Sequence, residues 1–170
     1  QADAVFVARL DHRVGIVEVD DDGSVREWQQ LVNPGMRIPP FIEQLTGITN
    51  DMVAEAPPFE ALAAELLQLL HGRLFIAHNA RFDYGFLKNA FRRLELPWRA
   101  QQLCTVKLSR LLYPQHYKHN LDSLIARFNL GCANRHRALD DAEAVWRFLG
   151  AARAELGDDA IAHAVRQLMG

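Results

Sequence analysis

Leu74-Phe75-Ile76-Ala77-His78-Asn79-Ala80-Arg81-Phe82-Asp83 is the stretch that decides how this chain is read. Four apolar residues after Gly72-Arg73 make a short buried strand. The period then changes, and Phe82, Phe86, Leu87, Ala90, Phe91 and Leu94 recur at helical spacing, with Pro97 beyond the last of them. A strand that hands His78 and Asn79 straight to a helix is half of an α/β unit. In open α/β sheets, ligands gather outside the carboxyl ends of the strands. Asp83 falls in the first turn of that helix, where the macrodipole alone would also favour an acid.

Working outward, Ala4-Val5-Phe6-Val7, Arg13 to Val19 and Val25 to Val32 read as three strands with short links. Asp20-Asp21-Asp22-Gly23-Ser24 is a turn signal and Asn33-Pro34-Gly35 closes the run, so the chain opens as an antiparallel meander. Short helical segments flank Gly47. Pro57-Pro58 then leads a stronger helix with Phe59, Leu62, Ala63, Leu66, Leu69 and Leu70 on its apolar face. Downstream, Gln101 to Thr105 reads as a strand, and Val106 to Leu112 and Leu121 to Phe128 as helices, the second capped by Asn120. After a loop from Gly131 to Arg135, Ala138 to Leu156 forms a long helix burying Leu139, Ala142, Val145, Trp146 and Leu149, and Asp158-Asp159 starts a closing helix. Three antiparallel strands followed by alternating strands and helices predict an α/β fold with a mixed sheet flanked by helices. With no repeat and no linker, residues 1–170 read as one domain.

A second stretch, His136-Arg137-Ala138-Leu139-Asp140-Asp141-Ala142, places an imidazole five residues ahead of a carboxylate where a loop becomes a helix. Alone it is an acidic helix start behind a surface histidine. Together with Asp83 it reads as a site. Two carboxylates from separate elements suit hard divalent cations, which prefer oxygen ligands. A histidine with an ordinary pKa of about 6.5 can take a proton from water at neutral pH.

Hydrophobic content of 49% and charged content of 24% are those of a soluble globular chain. Cys104 and Cys132 show no paired-motif spacing, which predicts a reduced, cytoplasmic protein, and no apolar run is long enough to span a membrane. The chain opens at Gln1 without an initiator Met, as a processed or excised fragment would. Net charge is only −2, but it is segregated: −8 over residues 1–71, +9 over 72–137 and −3 over 138–170. A basic middle between acidic ends suits a polyanion site beside a cation-binding cluster, although a solvated helix face gives the same count.

These residues resemble the DEDD superfamily of 3′→5′ exonucleases, in its histidine subtype. His78-Asn79-Ala80-Arg81-Phe82-Asp83 is similar to the family's second motif and His136-Arg137-Ala138-Leu139-Asp140-Asp141-Ala142 to its third. Leu45-Thr46-Gly47-Ile48-Thr49 resembles the family's H-G-I-T turn, and Asn120-Leu121-Asp122-Ser123-Leu124 its N-S-L-D-x-L helix start. The resemblance implies a ribonuclease-H-like fold and two divalent cations, Mg²⁺ or Mn²⁺. Asp83 and Asp141 would be metal ligands, Asp83 directly or through water, and His136 the general base. Leu45, Thr46, Gly47, Phe82, Asn120 and His78 would contact substrate, although Phe82 reads equally well as core. The implied substrate is single-stranded DNA or a frayed 3′ end, with RNA open, and the implied partners are a polymerase subunit or a fused nuclease domain. A binding module of the same fold without catalysis is the alternative.

One departure stands out. The family's first motif, D-x-E-T on the first strand, is missing: that strand reads Val5-Phe6-Val7-Ala8-Arg9, and Asp3 and Asp11 lack the spacing. Glu18-Val19-Asp20 has acid-x-acid spacing at the end of the wrong strand. Either the chain is a degenerate, metal-poor relative, or residues are missing between Val7 and Ala8; the second is the expectation here.

Overall fold

The computed structural model describes residues 3–10, 12–33, 36–132 and 137–169. They build a five-stranded sheet in the order β3-β2-β1-β4-β5. Strands β1 (Ala4–Leu10), β2 (Arg13–Val19) and β3 (Val25–Leu31) are the antiparallel meander. β4 (Leu74–Ala77) and β5 (Gln102–Cys104) then add parallel to β1. The mixed sheet expected from the sequence is the one observed.

Alternation along the strands sends side chains to two cores. Phe6, Val17, Ile76 and Leu103 pack against α5 (Thr105–Leu112), α6 (Leu121–Phe128), α7 (Ala138–Leu156) and α8 (Asp158–Met169). Val5, Val7, Val14, Ile16 and Phe75 pack on the other face against α3 (Phe59–Leu70) and α4 (Ala80–Arg93). Here Phe75, Tyr84, Phe91 and Trp98 meet at ring-centroid distances of 5.0 to 5.7 Å. The short helices α1 (Pro40–Thr46) and α2 (Asn50–Ala54) rest on a satellite core of Ile38, Ile48 and Val53. Asn50 ties them together, its side chain receiving the Ile38 N–H at 2.6 Å and donating to the Glu43 carboxylate at 3.1 Å.

Three expectations are revised. First, β1 crosses Val7 and Ala8 in unbroken register with β2, Val7 opposite Ile16, Ala8 opposite Gly15 and Arg9 opposite Val14, so the expected discontinuity has no counterpart in the sheet. Second, Phe82 and Phe86 are exposed rather than buried, because the α4 face that carries them looks onto clefts and not onto the core. Third, on α7 the fully buried aromatic is Phe148, with Leu139 and Trp146 only partly covered.

One contact fixes where α7 begins. A Cβ built on Gly15 would lie 2.3 Å from the Leu139 nitrogen and 2.5 Å from the Ala138 carbonyl carbon. No real side chain tolerates that approach, so only glycine lets the first turn of α7 rest on the β2 backbone.

Candidate active site

The carboxyl ends of β1 and β4 open into a cavity of about 400 Å³, and Asp83, Asp141, Asn120 and His78 all line it. Each arrives by a separate local device. At the end of β4, Asn79 takes a left-handed conformation (φ 72°), and this sharp turn starts α4 with Asp83 in its first turn. Asp141, 8% exposed, comes from the first turn of α7, seated by the Gly15 contact. Asn120 caps α6, its side-chain oxygen accepting the Ser123 N–H at 2.8 Å. Asp83 and Asp141 therefore do come together, as their spacing in the two motifs predicts.

His78 is held within the protein. Its Nε2 lies 2.7 Å from the His119 carbonyl, an acceptor only, so Nε2 carries the proton and Nδ1 accepts the Thr105 hydroxyl at 2.8 Å. His119 repeats the device, donating from Nε2 to the His116 carbonyl (2.9 Å) and accepting Ser109 Oγ at Nδ1 (2.7 Å). Thr105, Ser109 and His119 are all buried. The pair ties the end of β4 to α5 and to the loop before Asn120. His78 thus reaches the cavity wall as a positioning residue rather than through a free ring nitrogen.

The remaining predicted residues divide. Phe82 is 60% exposed and lines the cavity, which suits contact with a ligand rather than core packing. Leu45, Thr46 and Gly47 do not line it. Leu45 is 73% exposed, Gly47 ends α1 at φ 76°, and the Thr46 hydroxyl donates to the Ile42 carbonyl and accepts the Ile48 N–H. His136 lies outside the described residues.

Arg9 is the residue that sequence reading passed over. Its Nε lies 3.9 Å from Asp83 Oδ1, and its guanidinium stacks 4.2 Å from the Phe86 ring centroid. Burial pushes the Asp83 carboxyl up to about 7, the Arg9 charge offsetting part of that rise. The signal was present as a cation on the strand whose family motif is acidic. Glu18 and Asp20, the misplaced acid-x-acid pair, lie at the opposite end of the strands, beside the start of β1. Arg73 binds them at 3.0 and 2.7 Å, and Arg26 at 2.5 and 3.6 Å. They serve as ion-pair partners there.

The resemblance carried by the two motifs implies two divalent cations. The described residues of this cavity do not fit a pair of such ions. Among the described residues two carboxylates line it, the β1 wall is Val7, Ala8, Arg9 and Leu10, and the Arg9 guanidinium lies beside Asp83. Among the described residues, no third acid, histidine or cysteine joins Asp83 and Asp141 as a metal-holding set.

A mixed five-stranded sheet with helices on both faces, and two acids at the carboxyl ends of its central strands, defines a nuclease-type, ribonuclease-H-like domain. The chain belongs to the exonuclease family (RNase_T), whose model matches residues 12–149. Over 133 residues it is 40% identical to the 3′-5′ exonuclease DinG of Bacillus subtilis, covering 77% of this chain and 14% of that protein. Over 126 residues it is 36% identical to the PolC-type DNA polymerase III of Streptococcus pneumoniae, covering 74% of this chain and 9% of that one. The chain therefore spans only a small part of these relatives. Among solved structures, Exonuclease X in complex with 5′-overhanging duplex DNA matches with a TM-score of 0.72 at 24% identity over the whole of both chains. The nuclease domain of 3′hExo, a DEDDh family member bound to rAMP, matches at 0.69 and 16% identity, over 92% of this chain and 91% of that one. These two show the fold. No helix among the described residues is long and apolar enough to cross a membrane.

Proposed function

We propose that this domain removes nucleotides from the 3′ end of single-stranded DNA, or of a frayed duplex end, and releases nucleoside monophosphates in proofreading or repair. The observation that carries this reading is the meeting of Asp83 and Asp141, from two helices far apart in the chain, in one cavity beside Asn120 and Phe82. DNA is favoured over RNA because the PolC-type relative is a DNA polymerase by name. The same relative makes a polymerase, or a further domain of a longer protein, the favoured partner, and the cytoplasm the favoured compartment. In this reading His136 takes the proton of the attacking water, Phe82 lies against the terminal nucleotide, and the Asn120 turn lies near phosphate. The turn at Leu45, Thr46 and Gly47 remains a candidate contact for a strand that extends beyond the cavity. Mg²⁺ or Mn²⁺ is the expected cofactor; Asp83 and Asp141 are the carboxylates left to hold it, without a second ion's ligands on β1.

A second reading has its own observation. Arg9 puts a fixed positive charge 3.9 Å from Asp83, beside the β1 wall where the family's acids are missing. A domain so built would hold a 3′ end without cutting it. A 5′-labelled oligodeoxythymidylate incubated with Mg²⁺ or Mn²⁺ decides between the two. A ladder of shortened products, abolished by Asp141→Asn and Asp83→Asn, supports hydrolysis. An intact oligonucleotide that is nonetheless bound overturns hydrolysis and leaves the binding reading.

A further inference from the structure

From the geometry we infer a second nucleic-acid subsite: a basic groove beside the active-site cavity that carries the sugar-phosphate backbone of the strand whose 3′ end lies between Asp83 and Asp141. The groove has a volume of about 450 Å³ and runs between the start of α4, α5 and the end of α8. Arg81, Lys107 and Arg110 line it, and no acidic residue does. Lys107 and Arg110 are three residues apart on α5 and so share one helix face. Among the described residues none of the three cations enters an ion pair, in contrast to Arg26 and Arg73 at the opposite end of the strands. Their charge therefore remains available to a polyanion.

Phe82 and Asn79 line both this groove and the active-site cavity, so the two are continuous around the first turn of α4. At that junction the Phe82 ring is exposed, with the Arg81 guanidinium 5.0 Å from its centroid. An aromatic face beside cations is the combination that holds single strands without regard to sequence, the bases stacking while the phosphates meet the cations. The arrangement also uses charge from the part of the sequence that carries the +9 excess.

This inference rests on the 3′-end reading for its direction, but its test does not need hydrolysis. Binding of 5′-fluorescein decathymidylate and dithymidylate is measured by anisotropy over a range of NaCl, for the parent chain and for Arg81→Ala/Lys107→Ala/Arg110→Ala. All three side chains are exposed, and such surface substitutions usually leave stability nearly unchanged. The triple variant should bind the decamer at least 10-fold more weakly, lower the slope of log affinity against log salt by about 2, and leave the dimer unchanged. Equal losses for both lengths, or none, would overturn the groove. Cys104 lines the groove and gives a second readout: in a Cys132→Ser background, bound decamer should slow its alkylation by iodoacetamide and bound dimer should not. Unchanged alkylation in saturating decamer also counts against the groove. Absence of hydrolysis with length-dependent binding intact defeats the exonuclease proposal and leaves the groove standing.

Discussion

Asp83 lies between two opposed influences, and that makes it measurable. Burial raises its carboxyl to about 7 while Arg9 works to lower it. An unfolded aspartate titrates near 3.9, so between about pH 4 and 7 the metal-free folded chain holds a proton that the unfolded chain has lost. Stability must then fall as pH rises through that window, by an amount on the order of a few kcal/mol. Asp83→Asn should remove this slope, so urea melts at pH 5 and pH 8 would lie closer together in the variant than in the parent. The first-strand defect can be tested from the other side. Ala8 and Leu10 both line the cavity and point to the same side of β1. Ala8→Asp with Leu10→Glu should produce Mg²⁺ binding at least 10-fold tighter than the parent by calorimetry. No gain in cation uptake would mean that the missing acids are not what limits the site. Of the site residues, the two motif acids were legible because each starts a helix next to a recognisable signal. Arg9 was not, since a single cation after an apolar strand has no periodicity or spacing of its own.

At the scale of elements, two contacts hold the cavity's walls in place. Gly15 seats the start of α7, so Gly15→Ala forces backbone apart rather than a flexible side chain. The substitution should cost about 1–3 kcal/mol or more in thermal melts and speed hydrogen exchange at Asp141 and Ala142 relative to the middle of α7. His78 joins β4 to α5 and to the loop carrying His119, and His78→Ala leaves the buried Thr105 hydroxyl without its acceptor. A loss of about 1–3 kcal/mol in urea denaturation is expected. A purely substrate-contacting His78 would leave stability unchanged. The strands and helices were legible almost to their ends, because strand period, turn residues and caps agree along the chain. The exposed face of α4 was not. Phe82 and Phe86 have the spacing of core residues, and spacing cannot tell whether protein or a ligand covers a helix face.

At the scale of the molecule, charge and connectivity set the behaviour. Segregated charge puts Arg81, Lys107 and Arg110 along the groove beside the cavity and uses Arg73 to close the ion-pair cluster at the opposite end of the strands. The sheet itself joins near and distant sequence. β1 pairs with β2 across a tight hairpin, Leu10 opposite Arg13, whereas its other neighbour begins with Ala4 opposite Leu74. Closing the longer loop costs more chain entropy and comes later. In pulsed hydrogen-exchange refolding, amides of β1 to β3 should gain protection before those of β4 and β5, and simultaneous protection would contradict this order. Because Asp83 follows β4, the two carboxylates meet only after β4 docks on β1. A nascent or partly folded chain therefore presents a finished hairpin and no cleft, and the paired carboxylates arrive all at once, when β4 takes its place beside β1.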